Sequence, residues 1–344
     1  GIFKIFNSID ERSAGFHAIG ISIASDKPTV VLTTSGTAVA NLLPSAVEAD
    51  KSSISVIYIS ADRPLRLKNC GANQTVDQEK FLSPVCRLTE NTCLEGLHLT
   101  TDTELKNLRE KIREICKIKS GPIHLNIPFE KPLIVDINER KKITNNFTEK
   151  YLNRKNKTQK TSNNNKLIDL EIMKYIDLSK TGIIIAGPYR GSNQNLIKFN
   201  NSLKKIQYLT GWPVFADPLS GVDICLKGLI DNWEMIINNK KIKLNCDQLL
   251  RLGPMPSSNS LEKFLEEFSG KQFLIKESDS RILDPLGKSF EYEYGLTHFV
   301  DQFITCKNNL SKKNLTQLCK KLLLEGERIK NILKKQFSDK DNIT

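Results

Sequence analysis

A chain of 344 residues carrying a net charge of +12 is long enough for two domains, each with its own hydrophobic core. Its eight cysteines (Cys70, Cys86, Cys93, Cys116, Cys225, Cys246, Cys306 and Cys319) form no C-x-x-C pair, which excludes a zinc ribbon and points to reduced, cytoplasmic thiols rather than a disulfide framework. No uncharged apolar run reaches membrane-spanning length and no charged-then-apolar leader stands at the start, so no membrane association is expected.

The first residues, "FKIF", read as the end of a strand, and a chain that opens this way on Gly1 is expected to be a fragment or a trimmed chain. An apolar-periodic helix follows from about Arg12 to Ser25. Ser8 and Glu11 have the S-x-x-E spacing of a capping box at its start, so Glu11 has a purely local reading as a helix cap. "PTVVLT" is a continuous apolar strand, followed by a helix from about Thr37 to Ala49 and a third strand, "ISVIYIS". Further on come "VCRLTE", a helix around 102–118 and the strand "PIHLNIP". Short apolar strands alternating with helices indicate a parallel sheet covered on both faces.

Residues 139–166 hold nine Lys or Arg against two Glu, which concentrates seven of the net positive charges in one Asn- and Thr-rich stretch. Such a segment cannot bury enough apolar surface to fold and reads as a solvated linker. The charge therefore argues against a nucleic-acid partner, and the remainder of the chain is only mildly basic. After the linker the α/β pattern resumes with strands at "GIIIAG", "PVFAD", "DQLLRLG" and "QFLIKES". Helices are expected at 193–209 and 259–269, and a long amphipathic helix closes the chain. The fold class is α/β, with two doubly wound parallel-sheet domains.

In such sheets every strand-to-helix loop opens at the carboxyl edge, where ligands bind. Three loops of the first domain, "SIDERS", "TTSGTAVAN" and "SADRP", therefore share one rim, and "CGANQTVDQ" follows closely. This gathers a carboxylate, a Ser-Gly helix start, an Arg and two amides. Each also has a plain structural reading: Thr34 or Ser35 caps a helix, Asp62 and Arg63 pair locally, and "CGANQ" is a turn. His17 and His124 lie in apolar surroundings and read as core residues rather than ligands. No Walker loop, H-E-x-x-H or G-x-S-x-G occurs, and "GIIIAGPYRG" lacks the spacing of a dinucleotide loop.

Taken in order, "DERSAGFHAIG", "TTSGTAVANLLPSAVEA", "ISADRP", "CGANQTVDQ" and "IHLNIPFEKPL" resemble the pyrimidine-binding domain of the SEPHCHC synthase (MenD) family. "GIIIAGPYRG", "LTGWPVFADPLSG", "LLRLGPMP" and "SRILDP" resemble that family's central domain. The resemblance implies a pyrimidine-binding domain at 1–135 lacking its front, a linker at 136–166 and a central domain at 167–344. It implies thiamine diphosphate and magnesium (Mg2+) as cofactors, 2-oxoglutarate and isochorismate as substrates, and a precursor of menaquinone or phylloquinone as product.

The resemblance also assigns roles. Glu11 is the catalytic carboxyl that hydrogen-bonds the cofactor's N1′ ring nitrogen and favours the reactive imino tautomer. Ser35 and Gly36 shape the pyrimidine pocket. Arg63, Asn73 and Gln74 contact substrate, an Arg being suited to a carboxylate because its planar fork donates twice. The family's diphosphate-binding domain, with its G-D-G…N motif, and the "SPGSR" segment are absent, so no metal ligand is expected in this chain. Asn259 stands near the place of a substrate-facing Lys in some relatives. A homodimer or homotetramer is expected for a complete enzyme, and this chain alone is expected to be inactive. Two alternatives stay open: another 2-oxo-acid decarboxylase of acetolactate-synthase type, and a non-catalytic α/β partner module.

Overall fold

The computed structural model describes residues 4–93, 99–116, 120–131, 133–134, 136–138, 141, 145, 176–239, 241–277, 279, 281–307 and 311–337. Most of the basic linker lies outside the described residues. The chain divides into two compact units, one of residues 1–117 and 121–169, the other mainly of residues 170–344.

In the first unit α1 (Glu11–Ser25) leads through a short loop to β1 (Thr29–Thr33). Two helices, α2 (Thr37–Ala40) and α3 (Leu43–Lys51), then lead to β2 (Val56–Asp62). β3 (Leu88–Asn91), α4 (Asp102–Glu114) and β4 (Ile123–Pro128) complete it. The sheet has the order β1-β2-β4-β3, and all its pairs are parallel.

Three expectations fail here, each for a physical reason. The described residues of "FKIF", Lys4, Ile5 and Phe6, form no strand: they find no ladder partner among the described residues, and Ile5 and Phe6 stand exposed. The single helix expected at 37–49 is two, because Pro44 in the first turn of α3 has no amide proton with which to continue α2. β1 is not covered on both faces; it lies at the edge of the sheet, with Val31 buried but Leu32 75% exposed.

The core of this unit packs Ile19, Val39, Leu42, Ala46, Val56 and Tyr58 between α1, the α2–α3 pair and the sheet. Gly15 permits the close approach of α1 to α3, since a Cβ there would fall 2.1 Å from Ser45 Oγ.

The second unit contains β5 (Gly182–Ala186), α5 (Asn193–Thr210), β6 (Val214–Ala216), α6 (Trp233–Asn238) and β7 (Gln248–Leu252). It continues through α7 (Asn259–Glu267), β8 (Lys271–Ile275), β9 (Ser289–Tyr292), α8 (Gly295–Cys306) and α9 (Gln317–Gln336). Its parallel sheet runs β6-β5-β7-β8-β9 and so winds outward from β5 in both directions. Every residue of β5 and of β7 is buried, and the apolar run of β5 is what a covered parallel sheet requires. Trp233 stacks on Phe215 inside a core that includes Ile183, Leu249, Leu261 and Leu322.

Both units are thus parallel-sheet α/β structures. Among the described residues no helix is long and apolar enough to cross a membrane. All eight cysteines are free thiols, and burial pushes those of Cys86, Cys246 and Cys319 up to about 12.

Candidate active site

α1 ends three residues before β1 begins, so it runs back against the sheet and its first residue, Glu11, returns to the carboxyl edge. The capping box expected of Ser8 and Glu11 is not formed. Asp10 is the N-cap: its carboxylate accepts from the backbone of Arg12 (2.8 Å) and Ser13 (3.4 Å), while Ser8 Oγ donates to Asp10 O. The neighbouring Arg12 guanidinium holds the Asp10 carboxyl down at about 2. Because Asp10 satisfies the helix start, Glu11 is released from that task. Its side chain is half-buried, and Oε2 accepts a 3.1 Å hydrogen bond from Asn41 Nδ2 at the end of α2.

Ser35 lies two residues beyond β1. It is 2% exposed, and its Oγ has no hydrogen-bond partner. Gly36 caps α2 at φ 85, ψ −139, backbone that only glycine adopts without strain, and a Cβ there would meet Gln74 Cγ at 3.2 Å. Gln74 also carries a positive φ of 62, and its Nε2 donates to Ser35 O (3.3 Å). Asn73 beside it is exposed. The Arg63 amide donates to Asp62 Oδ1 (2.8 Å). Its guanidinium, half-buried, has no hydrogen bond or ion pair among the described residues. The structure thus brings Ser35, Gly36 and Gln74 into contact, sets Glu11 on Asn41 beside them, and hangs Arg63 from the end of β2. Asn259, at the first turn of α7, belongs to the other unit.

Beneath this rim lies a buried polar network that sequence reasoning missed. Gln78 is fully buried; its Oε1 accepts from Gly36 N (2.8 Å), and its Nε2 donates to Ala61 O and to Asn126 Oδ1 (2.8 Å each). Asn126 Nδ2 donates to Asp62 Oδ2 (2.8 Å). Lys68 Nζ sits 2.8 Å from both Asp62 and Glu79. The amide orientations are fixed by logic: Gly36 N–H can only donate, Ala61 O can only accept, and an ionised Asp62 can only accept.

The same logic reaches His124. Ser60 Oγ has one proton and gives it to Asn126 Oδ1 (2.9 Å), so toward His124 Nε2 (2.8 Å) it accepts. His124 is therefore the Nε2–H tautomer, and its buried Nδ1 is left without a partner. Burial drives its pKa down from 6.5 to about 4, against the opposing pull of the Glu79 and Asp62 charges. His124 is a core residue as expected; His17, read the same way, instead lies on the exposed side of α1.

The pH consequence has a definite sign. Below pH 6.5 the unfolded chain takes up a proton that folded His124 refuses, so stability falls as pH drops from 6.5 to about 4 and levels off below. The full difference amounts to about 3 kcal/mol. Urea unfolding of the first unit should lose about 2 kcal/mol between pH 7 and pH 5 through this group. His124→Gln should flatten that slope; an unchanged slope would assign it to other residues.

With the geometry in place, the relatives are informative. Residues 2–81 match the family model for the thiamine pyrophosphate enzyme N-terminal TPP binding domain. The whole chain is 52% identical to a 2-succinyl-5-enolpyruvyl-6-hydroxy-3-cyclohexene-1-carboxylate synthase of Prochlorococcus marinus (strain MIT 9515), of which it covers 59%. It is 51% identical over its full length to the synthase of strain MIT 9215, again over 59% of that protein. Over 92% of its length it is 42% identical to that of strain NATL2A, covering 54%. Over its whole length the chain is similar to SEPHCHC synthases. It spans 59% of the length of the first two of these relatives.

The match to a TPP binding domain supports thiamine diphosphate, and the chemistry of the rim residues is compatible with its aminopyrimidine. An unpartnered buried hydroxyl on Ser35 faces the need for a polar contact, Gly36 leaves the backbone bare, and Glu11 offers a carboxyl not used by its own helix. Among the described residues no group of three His, Cys, Asp or Glu side chains is arranged to hold a metal ion.

Nothing local in the sequence marks Gln78 or Asn126 as site residues. The bonds from Gln78 to Ala61 and Asn126, and from Asn126 to Asp62, span 17, 48 and 64 residues across β-α units. The one available signal was the position of Gln78 at the end of the polar segment "CGANQTVDQ".

Proposed function

We propose that the protein of which this chain forms a part is a SEPHCHC synthase. It decarboxylates 2-oxoglutarate and adds the remaining succinyl-semialdehyde unit to isochorismate, releasing carbon dioxide, in menaquinone or phylloquinone biosynthesis. The observation that carries this reading is the 52% identity over the entire chain to a synthase of that name. When bound, thiamine diphosphate supplies the electron sink for carbon–carbon bond cleavage.

The residues of this chain have the remaining tasks. Glu11, at the first turn of α1, holds a proton at the far ring nitrogen of the aminopyrimidine. Ser35 and Gly36 form the wall against which that ring sits. Arg63 offers an uncommitted planar fork to a substrate carboxylate, and Asn73 and Gln74 border it. Residues 1–135 are the pyrimidine-binding domain and 167–344 the central domain. Magnesium and the diphosphate fall to a domain outside this segment, and the complete enzyme is a cytoplasmic homodimer or homotetramer.

Assay of the full-length protein with thiamine diphosphate and Mg2+ tests the reading. Carbon dioxide release should require 2-oxoglutarate, and product should form only with isochorismate present. Turnover of pyruvate alone would favour an acetolactate-synthase-like enzyme, and no turnover of either would favour a non-catalytic module.

A further inference from the structure

The buried amide of Gln78 touches neither of the ligands assigned above, yet it is joined to both sides of the site. Its acceptor end holds one residue, Gly36, whose positive-φ backbone forms the turn against the cofactor. Its donor end holds the end of β2 at Ala61 and fixes Asn126, which in turn orients Asp62, the residue that accepts the Arg63 amide. We propose that Gln78 is a positioning residue whose two amide ends separately hold the cofactor-side turn Ser35–Gly36 and, through Asn126 and Asp62, the substrate-side Arg63. This deepens the synthase reading and rests on it.

The argument is one of satisfaction. Gln78 has one carbonyl and two N–H protons, all three engaged and all fully buried. Each partner is a group with a single possible role or is itself pinned by one, so no rearrangement of the amide serves as well. The turn needs such a clamp. Gly36 has a φ of 85 and no ladder partner, and Ser35 Oγ makes no bond that would anchor it. Without Gln78 Oε1 the Gly36 N–H is a buried orphan donor, and the turn that presents Ser35 is free to relax. The two ends of the amide are chemically distinct, so they can be cut separately.

Gln78→Glu keeps an acceptor for Gly36 but removes at least one donated proton and sets a carboxylate oxygen against Ala61 O or Asn126 Oδ1. Gln78→Ala removes both ends. In the full-length protein, three quantities are read: thiamine diphosphate affinity by calorimetry with Mg2+, KM and kcat with 2-oxoglutarate and isochorismate, and hydrogen exchange of the Gly36 amide. The Glu variant should raise KM by roughly tenfold while cofactor affinity and Gly36 protection stay near the wild-type values. The Ala variant should also weaken cofactor binding by roughly tenfold and lose the Gly36 protection.

Equal effects of both variants on all three readouts would reduce Gln78 to general scaffolding and overturn the proposal. So would a folded Ala variant that binds cofactor and protects Gly36 as the wild type does. If one variant fails to fold, the other still decides, because each has its own expected pattern. Failure of the wild-type protein to bind thiamine diphosphate would instead overturn the synthase reading and the proposal with it.

Discussion

Glu11→Gln in the full-length protein is expected to slow proton–deuterium exchange at the cofactor's thiazolium C2, and kcat with it, by roughly a hundred- to ten-thousandfold. That range corresponds to about 3–5 kcal/mol of barrier. The substitution is unusually clean in this structure. The amide has the size of the carboxyl, and its oxygen can still accept from Asn41 Nδ2, which now donates at 3.1 Å to Glu11 Oε2. The helix start is untouched, because Asp10 and not Glu11 caps α1. What the Gln lacks is a proton it can share with a ring nitrogen. The unfolding midpoint should therefore stay put while exchange collapses, measured by NMR on the loaded enzyme at several quench times. Full-rate exchange in the variant would remove Glu11 from the chemistry.

The two readings of Glu11 that stood side by side in the sequence are separated by a small shift of helix register. Ser8 and Glu11 satisfy the S-x-x-E pattern only if the helix begins at Ile9. Asp10 is an equally good cap, and its use starts the helix at Glu11 instead. Local spacing could not choose between them.

Legibility elsewhere followed the range of the interaction. The strand β5 was readable because a continuous apolar run needs no knowledge of its partners. β9 and α6 were not, since "SFEY" and "WEMIIN" are short and gain their stability from the cores they join. β1 was misjudged because its apolar run fixes the strand but not what covers its faces. The two histidines show the same limit: His17 and His124 have similar neighbours in sequence, yet one lies on an outer helix face and the other in a central strand. The rim residues Ser35, Gly36 and Arg63 were legible from the α/β order alone, since loops after parallel strands must meet at one edge. The network beneath them was not, because the bonds of Gln78 and Asn126 join residues from 17 to 66 positions apart.

That network sets up the second large effect. Lys68→Met should destabilise the first unit by about 3–5 kcal/mol. Lys68 Nζ lies 2.8 Å from both Asp62 and Glu79, and the side chains of Lys68, Asp62 and Glu79 are 8%, 0% and 23% exposed. Burial alone would make the ammonium easier to deprotonate, but the hydrogen bonds to Asp62 and Glu79 outweigh it and raise the Lys68 pKa above 10.5. The lysine's contribution is thus complete at neutral pH and is lost only as pH climbs through that raised value. Removing the cation strands the fully buried Asp62 carboxylate, leaving it Asn126 Nδ2 and the Arg63 amide as partners. The cost comes from that uncompensated charge, not from the worth of the pair itself. A double variant, Asp62→Asn with Lys68→Met, should therefore unfold at a higher urea concentration than Lys68→Met alone. Because Asp62 also receives the Arg63 amide, the single variant should raise KM for the carboxylate substrate as it loses stability. A Lys68→Met protein with the wild-type urea midpoint would mean that Asp62 is not charged in the fold, and the orientation argued for Asn126 and Gln78 would lose its anchor.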